Sequence, residues 1–158
     1  MTLDPSTFRA TLGRFASGIT IITAHDAGGR DVGMTVSAFS SLSLTPPLVL
    51  VCIDNGASVA PVLEHCESFG VNILGDNQEE LSRRFAEREL DRFEGVAVSR
   101  GALGVALLDG ALASLECRVT AREPAGDHTI LIGEVQAASV CEGHPLLYYR
   151  GGYRRLER

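Results

Sequence analysis

From Ala111 to Ala121 the chain alternates cleanly. Ala113, Leu115, Cys117 and Val119 take one set of positions; Ser114, Glu116, Arg118 and Thr120 take the other. Side chains on a strand point to opposite faces with a period of two, so this pattern describes a strand that is apolar on one face only. Such a strand belongs in an antiparallel sheet that is half-buried. Pro124 to Asp127 contains a Gly-Asp turn, and His128 to Ala138 makes the return strand. This hairpin commits the chain to antiparallel pairing.

The rest of the chain adds strands at short spacing. Ile19 to Ala24 is β-branched and apolar, and the Gly28-Gly29 turn folds it onto the stretch that begins at Gly33. Within that stretch Thr35, Ser37, Ser41 and Ser43 are predicted to share one strand face, and Met34, Val36, Ala38, Leu42 and Leu44 the other. The hydroxyl face carries no charge and little bulk, which suits a flat polar ligand better than solvent. Pro46-Pro47 stops the strand, and Leu48 to Ile53 reads as a strand buried on both faces. Phe69 to Leu74 and Leu146 to Tyr149 are further strands.

Helices are few. Asp4-Pro5-Ser6 opens one that places Phe8, Leu12 and Phe15 on one face, with Gly18 as its stop. A turn from Asp54 to Ser58 leads into a short helix bearing Val59, Val62 and Leu63. Asp76-Asn77 caps a third, which runs through Glu79 to Ala86 with its acids first and arginines last. Glu87 to Asp109 is expected to be mostly loop. The pattern predicts a mainly β protein, an antiparallel β-barrel with a few peripheral α-helices, as a single domain over residues 1–158.

Composition narrows the chemistry. The net charge is −6, and no basic cluster suggests nucleic acid or an anionic membrane. All 14 basic residues are arginine, which excludes a Schiff-base lysine and a P-loop lysine. The four cysteines lack C-x-x-C spacing, so free thiols in a reducing compartment are expected rather than a metal site or disulfides. The first residues show no cationic and then apolar leader, which points to the cytoplasm. G-x-G-x-x-G, Walker A, G-x-S-x-G and H-E-x-x-H are absent.

The positive signals are small groups able to hold a ligand. Thr35 and Ser37 can hydrogen-bond the edge of a heterocycle. The turn Asp54 to Ser58 opens a helix, whose N-terminus attracts anions. Arg83 or Arg84 can pair with a phosphate. Tyr148 and Tyr149, being adjacent, face opposite ways, which leaves one free to stack.

Three segments together resemble the flavin reductase-like family with an FMN-binding split β-barrel, the reductase components of two-component flavin monooxygenases. They are residues 8–23 (FRATLGRFASGITIIT), 33–52 with GMTVSAFSS and PPLVLVC, and 126–153 with GDHTILIGEV and PLLYYRGGY. The resemblance implies an NAD(P)H-dependent flavin reductase that uses FMN or FAD with NADH or NADPH. It implies a homodimer that supplies reduced flavin to an oxygenase. By the same resemblance, Thr35, Val36, Ser37 and Ala38 line the isoalloxazine and ribityl chain, joined by Ser41. Cys52, Asp54 and Ser58, with Arg84 and Phe85, hold the phosphate end. His128 lies where the nicotinamide docks, and Tyr149 borders the pocket. No general acid or base and no metal is assigned, because the two cofactors carry the chemistry. A flavin carrier on the same barrel, without nicotinamide turnover, is the alternative reading.

Overall fold

A computed structural model describes residues 1–88 and 91–157; residues 89 and 90, in the stretch expected to be loop, lie outside the described residues. The strands are β1 (Ser17–Gly18), β2 (Thr20–His25), β3 (Asp31–Val36), β4 (Phe39–Ser43), β5 (Leu48–Asp54), β6 (Ser68–Ile73), β7 (Val98–Arg100), β8 (Ala106–Leu108), β9 (Ala113–Ala125), β10 (His128–Val140), β11 (Leu147–Tyr149) and β12 (Gly152–Arg154). The helices are α1 (Pro5–Leu12), α2 (Ala60–Leu63) and α3 (Glu79–Ala86). Seven strands form one antiparallel sheet in the order β3-β2-β6-β9-β10-β5-β4. A three-stranded sheet β1-β11-β12 and the hairpin β7-β8 complete it.

The two outermost strands of the large sheet are consecutive in sequence, and only Ser37 and Ala38 separate them. Three Cα steps reach about 11 Å at full stretch. The ends of the sheet are therefore drawn together, and it curls into a barrel with a seam between β3 and β4. This is the mainly β, antiparallel split barrel that the sequence predicts, with helices on its outside.

Inside the barrel Ile22, Val36, Val49, Val51, Ile53, Phe69, Val71, Cys117 and Leu131 make one core. Outside it, Ile19, Ile21, Leu74, Phe85, Leu108 and Leu146 make a second, beneath α3. The long hairpin forms as expected: β9 and β10 pair from Ala125–His128 back to Ala113–Val140, with bulges near Gly133 and Val135.

Apart from the cap of α3, which is Gln78 without a side-chain bond rather than Asp76-Asn77, four details depart from the sequence reading. The predicted single strand from Gly33 breaks at Ser37–Ala38, and a register shift follows between Ser41 and Ser43. Ser43 therefore pairs with Leu48 and Ser41 with Val49, on opposite faces rather than one. In β5 only Val49, Val51 and Ile53 are buried; Leu48, Leu50 and Cys52 face outward half-covered, with no second layer over that side among the described residues. In α1 the helix stops at Leu12, with the Gly13 N–H donating to Arg9 O at 2.8 Å, and Gly18 belongs to β1. No α1 side chain is buried, and Phe8, Leu12 and Phe15 are 53%, 53% and 81% exposed.

The fourth departure lies in the stretch expected to be loop. It contains β7 and β8, and these cover the polar face of β9. Ser114 and Glu116 are buried there, and the Glu116 carboxylate accepts the N–H groups of Ala102 at 3.2 Å and Leu103 at 2.9 Å. Burial, and then the Glu116 charge beside it, push the Cys117 thiol from 9.0 up to about 12. The folded state thus favours the neutral thiol. Its contribution is complete below pH 9.0 and is lost as the pH climbs toward about 12, where only the unfolded chain has already ionised. Unfolding midpoints in urea are expected to fall through that window. Cys117→Ala should flatten the fall, and an identical decline in both proteins would refute the assignment.

Candidate functional site at the barrel seam

The seam gathers several of the predicted residues. Ser37 and Ala38 are exposed where the chain crosses from β3 to β4. The Cys52 N–H donates to Ala38 O and the Phe39 N–H to Ser37 O, each at 2.9 Å, so the crossing rests against the end of β5. There the Asp54 carboxylate closes its own turn, accepting the Gly56 N–H at 2.8 Å. Asp54 pairs with His128 in the β5–β10 register, and Cys52 with Ile130. Cross-strand partners project to the same face, so Cys52, Asp54 and His128 share one surface. Asn55 locks the two turns together: its N–H donates to Asp127 O at 3.0 Å, and its Oδ1 accepts the Thr129 hydroxyl at 2.8 Å.

His128 Nδ1 lies 2.6 Å from Asp127 Oδ1. An ionised carboxylate only accepts, so Nδ1 carries the hydrogen, and Nε2 of the neutral ring is left as an acceptor. The hydrogen bond from His128, and then its charge whenever the ring is protonated, hold the Asp127 carboxyl below its usual range. Both side chains are exposed, so the pair orients the ring and adds little to stability.

Beside the seam is an open cleft lined by Arg30, Gly33, Ser58, Arg88, Arg92 and Phe93 among others. Ser58 does not cap a helix. The cap position of α2 is Val59, which makes no side-chain cap bond, and a four-residue helix has no useful dipole. The positive charge comes instead from Arg92. Its Nη1 donates to Gly33 O at 2.6 Å, its Nε to Glu87 O at 2.6 Å, and its Nη2 points to Ser58 Oγ at 3.4 Å. The sequence reading missed this arginine, since a loop has no periodicity to mark it.

Other predicted residues lie elsewhere or are already engaged. The Thr35 hydroxyl donates to Ser82 O at 2.6 Å, which ties β3 to α3 and leaves that oxygen only as an acceptor. Val36 is 6% exposed and points into the core. Ser41 follows Val49 toward the inner side of the edge strand, away from the face of Cys52 and His128. Phe85 is wholly buried, its ring edge-on to Phe93 at 5.0 Å between centroids, so it is a core residue rather than a ligand contact. Arg84 donates from Nη2 to Asp91 O at 3.0 Å and to Glu94 O. Arg83 pairs with Glu79 and lies over the Tyr153 ring, 4.7 Å from its centroid. Tyr149 sits on the three-stranded sheet, apart from the strands that carry Cys52 and His128.

Comparison with known proteins identifies the family and the fold. The family described as the flavin reductase like domain matches residues 12–157. An NADH-dependent flavin reductase of a Rhodococcus species is 44% identical over 159 residues, covering 98% of this chain and 88% of the relative. The reductase component of 4-hydroxyphenylacetate 3-monooxygenase from Thermus thermophilus is 44% identical over 150 residues, 94% of this chain and 95% of its own. Among solved structures, the NADH:FAD oxidoreductase SgcE6 of Streptomyces globisporus C-1027, in complex with NAD and FAD fragments, superposes with a TM-score of 0.91 at 34% identity, covering 99% of this chain and 97% of that one. With the match running almost end to end and the barrel in place, the chain belongs to the flavin reductase-like family.

Proposed function

We propose that this protein is an NAD(P)H:flavin oxidoreductase that reduces FMN or FAD and passes the reduced flavin to a separate oxygenase. The observation that carries the reading is the seam: an exposed, uncharged Ser37–Ala38 crossing set against a surface that presents Cys52 and His128. A flat ring system with polar edges fits such a place, since main-chain and hydroxyl groups offer both donors and acceptors without fixed charge. The relatives named above, an NADH-dependent flavin reductase and a monooxygenase reductase component, support the substrates and the partner.

The residues then have distinct tasks. Ser37 and the backbone of Thr35 to Ala38 hold the heterocycle by neutral hydrogen bonds, and Cys52 forms part of the wall. A bound flavin supplies a two-electron acceptor for the hydride of the dihydronicotinamide. His128, oriented by Asp127, accepts the carboxamide N–H of the nicotinamide at Nε2 and so sets its ring over the seam. No fixed cation lies beside Ser37 or Ala38 among the described residues, which favours release of flavin once it is reduced.

A second copy of the chain completes the protein in this reading. The uncovered α1 side chains Phe8 and Leu12, Phe15 just after the helix, and the outward side of β5 are apolar surfaces that a homodimer would bury. Its four free thiols suit a reducing cytoplasm. Purified protein mixed with NADH or NADPH and with FMN or FAD is expected to oxidise the nicotinamide in at least one combination. Light scattering of the same sample should give the mass of two chains. Flavin binding without turnover would favour the carrier reading, and a catalytically active monomer would remove the dimer.

A further inference from the structure

β5 and β10 run side by side until Asp54 meets His128, the last rung of their ladder. Past that rung both chains turn away, and the end of a ladder is where a sheet opens most easily. Asn55, the next residue along, holds both sequence neighbours of His128. Its N–H donates to Asp127 O at 3.0 Å, just before the histidine. Its Oδ1 accepts the Thr129 hydroxyl at 2.8 Å, just after it. Asp127 in turn meets the ring, 2.6 Å from Nδ1. The backbone that aims His128 is thus gripped from β5 as well as by its own hairpin.

The two side chains of this clip face away from the ligand surface. Thr129 alternates with His128 and pairs with Ile53, which is buried in the barrel. Asn55 and Thr129 line a recess at the barrel's end together with Ile53, Leu63 and Leu131. Cys52 and His128 share the opposite face. The ladder from Glu134 to His128 already joins the strands, so the clip adds order only at its end. Asn55 is exposed, and a single exposed hydrogen bond is a small part of a fold's stability. Its effect is on where the ring sits. β5 is also the strand whose Cys52 N–H holds the crossing at Ala38 O, at 2.9 Å, so the clip refers His128 to the same strand that supports the flavin seat.

We infer that Asn55, acting with Thr129, is a positioning residue for the nicotinamide: it fixes His128 over the Ser37–Ala38 crossing and makes no ligand contact itself. This rests on the oxidoreductase reading above, which places the nicotinamide at His128.

The test is steady-state kinetics in the active combination of nicotinamide and flavin. Asn55→Ala and Thr129→Val are each expected to raise the KM for the nicotinamide by about fivefold to tenfold, part of what a misplacement of about 1 Å can cost, and to leave the KM for flavin within about twofold. Asn55→Asp keeps the acceptor and Thr129→Ser the hydroxyl, so both should stay within about twofold of the wild type. In a His128→Ala background, Asn55→Ala should cost nothing further, because it acts through that ring. Amide hydrogen exchange of the Asn55 N–H, which needs no turnover, should quicken in Thr129→Val. Thr129→Val carries the test if Asn55→Ala does not fold. The proposal is overturned if the two KM values rise together, if the nicotinamide KM does not move, if the conservative variants lose as much as the others, or if the loss adds to that of His128→Ala. Wild-type protein that oxidises no nicotinamide with either flavin would refute the oxidoreductase reading instead, and the positioning role with it; faster exchange in Thr129→Val would then establish the clip alone.

Discussion

Ala38→Trp is expected to reduce flavin-dependent NADH oxidation by about a hundredfold or more while the protein stays folded. Ala38 is exposed at the crossing between β3 and β4, and its carbonyl accepts the Cys52 N–H at 2.9 Å. The backbone bond survives the substitution, and an exposed side chain away from special backbone geometry usually changes stability by no more than about 0.5 kcal/mol. An indole on this crossing would occupy the space where an isoalloxazine is to lie. Hydride transfer needs the two rings at about 3–3.5 Å, and a misplacement of about 1 Å can cost 10²-fold. Circular dichroism and the urea midpoint should match the wild type. Full activity in a folded Ala38→Trp protein would show that the flavin lies elsewhere.

Phe85→Ala should act in the opposite way, through the fold. Its ring is completely buried between α3 and the outside of β2 and β3, and it meets Phe93 edge-on at an interplanar angle of 87°. The packing is close enough that a Cβ added at Gly33 would lie 2.9 Å from Phe85 Cε1. Removing the ring leaves a cavity that backbone on both sides prevents from collapsing. The expected cost is about 3–5 kcal/mol of unfolding free energy, read as a lower urea midpoint at unchanged slope. Part of any lost activity should then return when the variant is assayed in the cold or with a stabilising osmolyte. A normal midpoint with weakened flavin binding would return Phe85 to the ligand.

These two residues also show what the sequence could reveal. Both belong to segments the family resemblance marks for flavin, yet one is solvent-exposed and the other is core. The spacing of Leu81 and Phe85, four apart on a helix whose other faces carry charge, was a visible sign of burial. The hairpin from Ala113 to Val140 was legible because thirteen-residue strands repeat their period often enough to declare a face. The same repeat brought His128 to Asp54, although the pairing partner of β10 could not be read from either strand alone. The hydroxyl row from Thr35 to Ser43 misled because a two-residue break and a bulge each reset the alternation, and neither has a glycine or proline to announce it. Arg92 left no trace for another reason. It is held by the Gly33 and Glu87 carbonyls, contacts that obey no sequence period.

The link between the outermost strands has one further consequence. Most barrels stay closed through a last row of hydrogen bonds, and such a row can fray. Here Ser37 and Ala38 fasten the two margins by peptide bonds, so the hoop cannot unzip at that point however often its occupant leaves. The carbonyls at the join are in turn held by the Phe39 and Cys52 N–H groups, so the crossing keeps one shape.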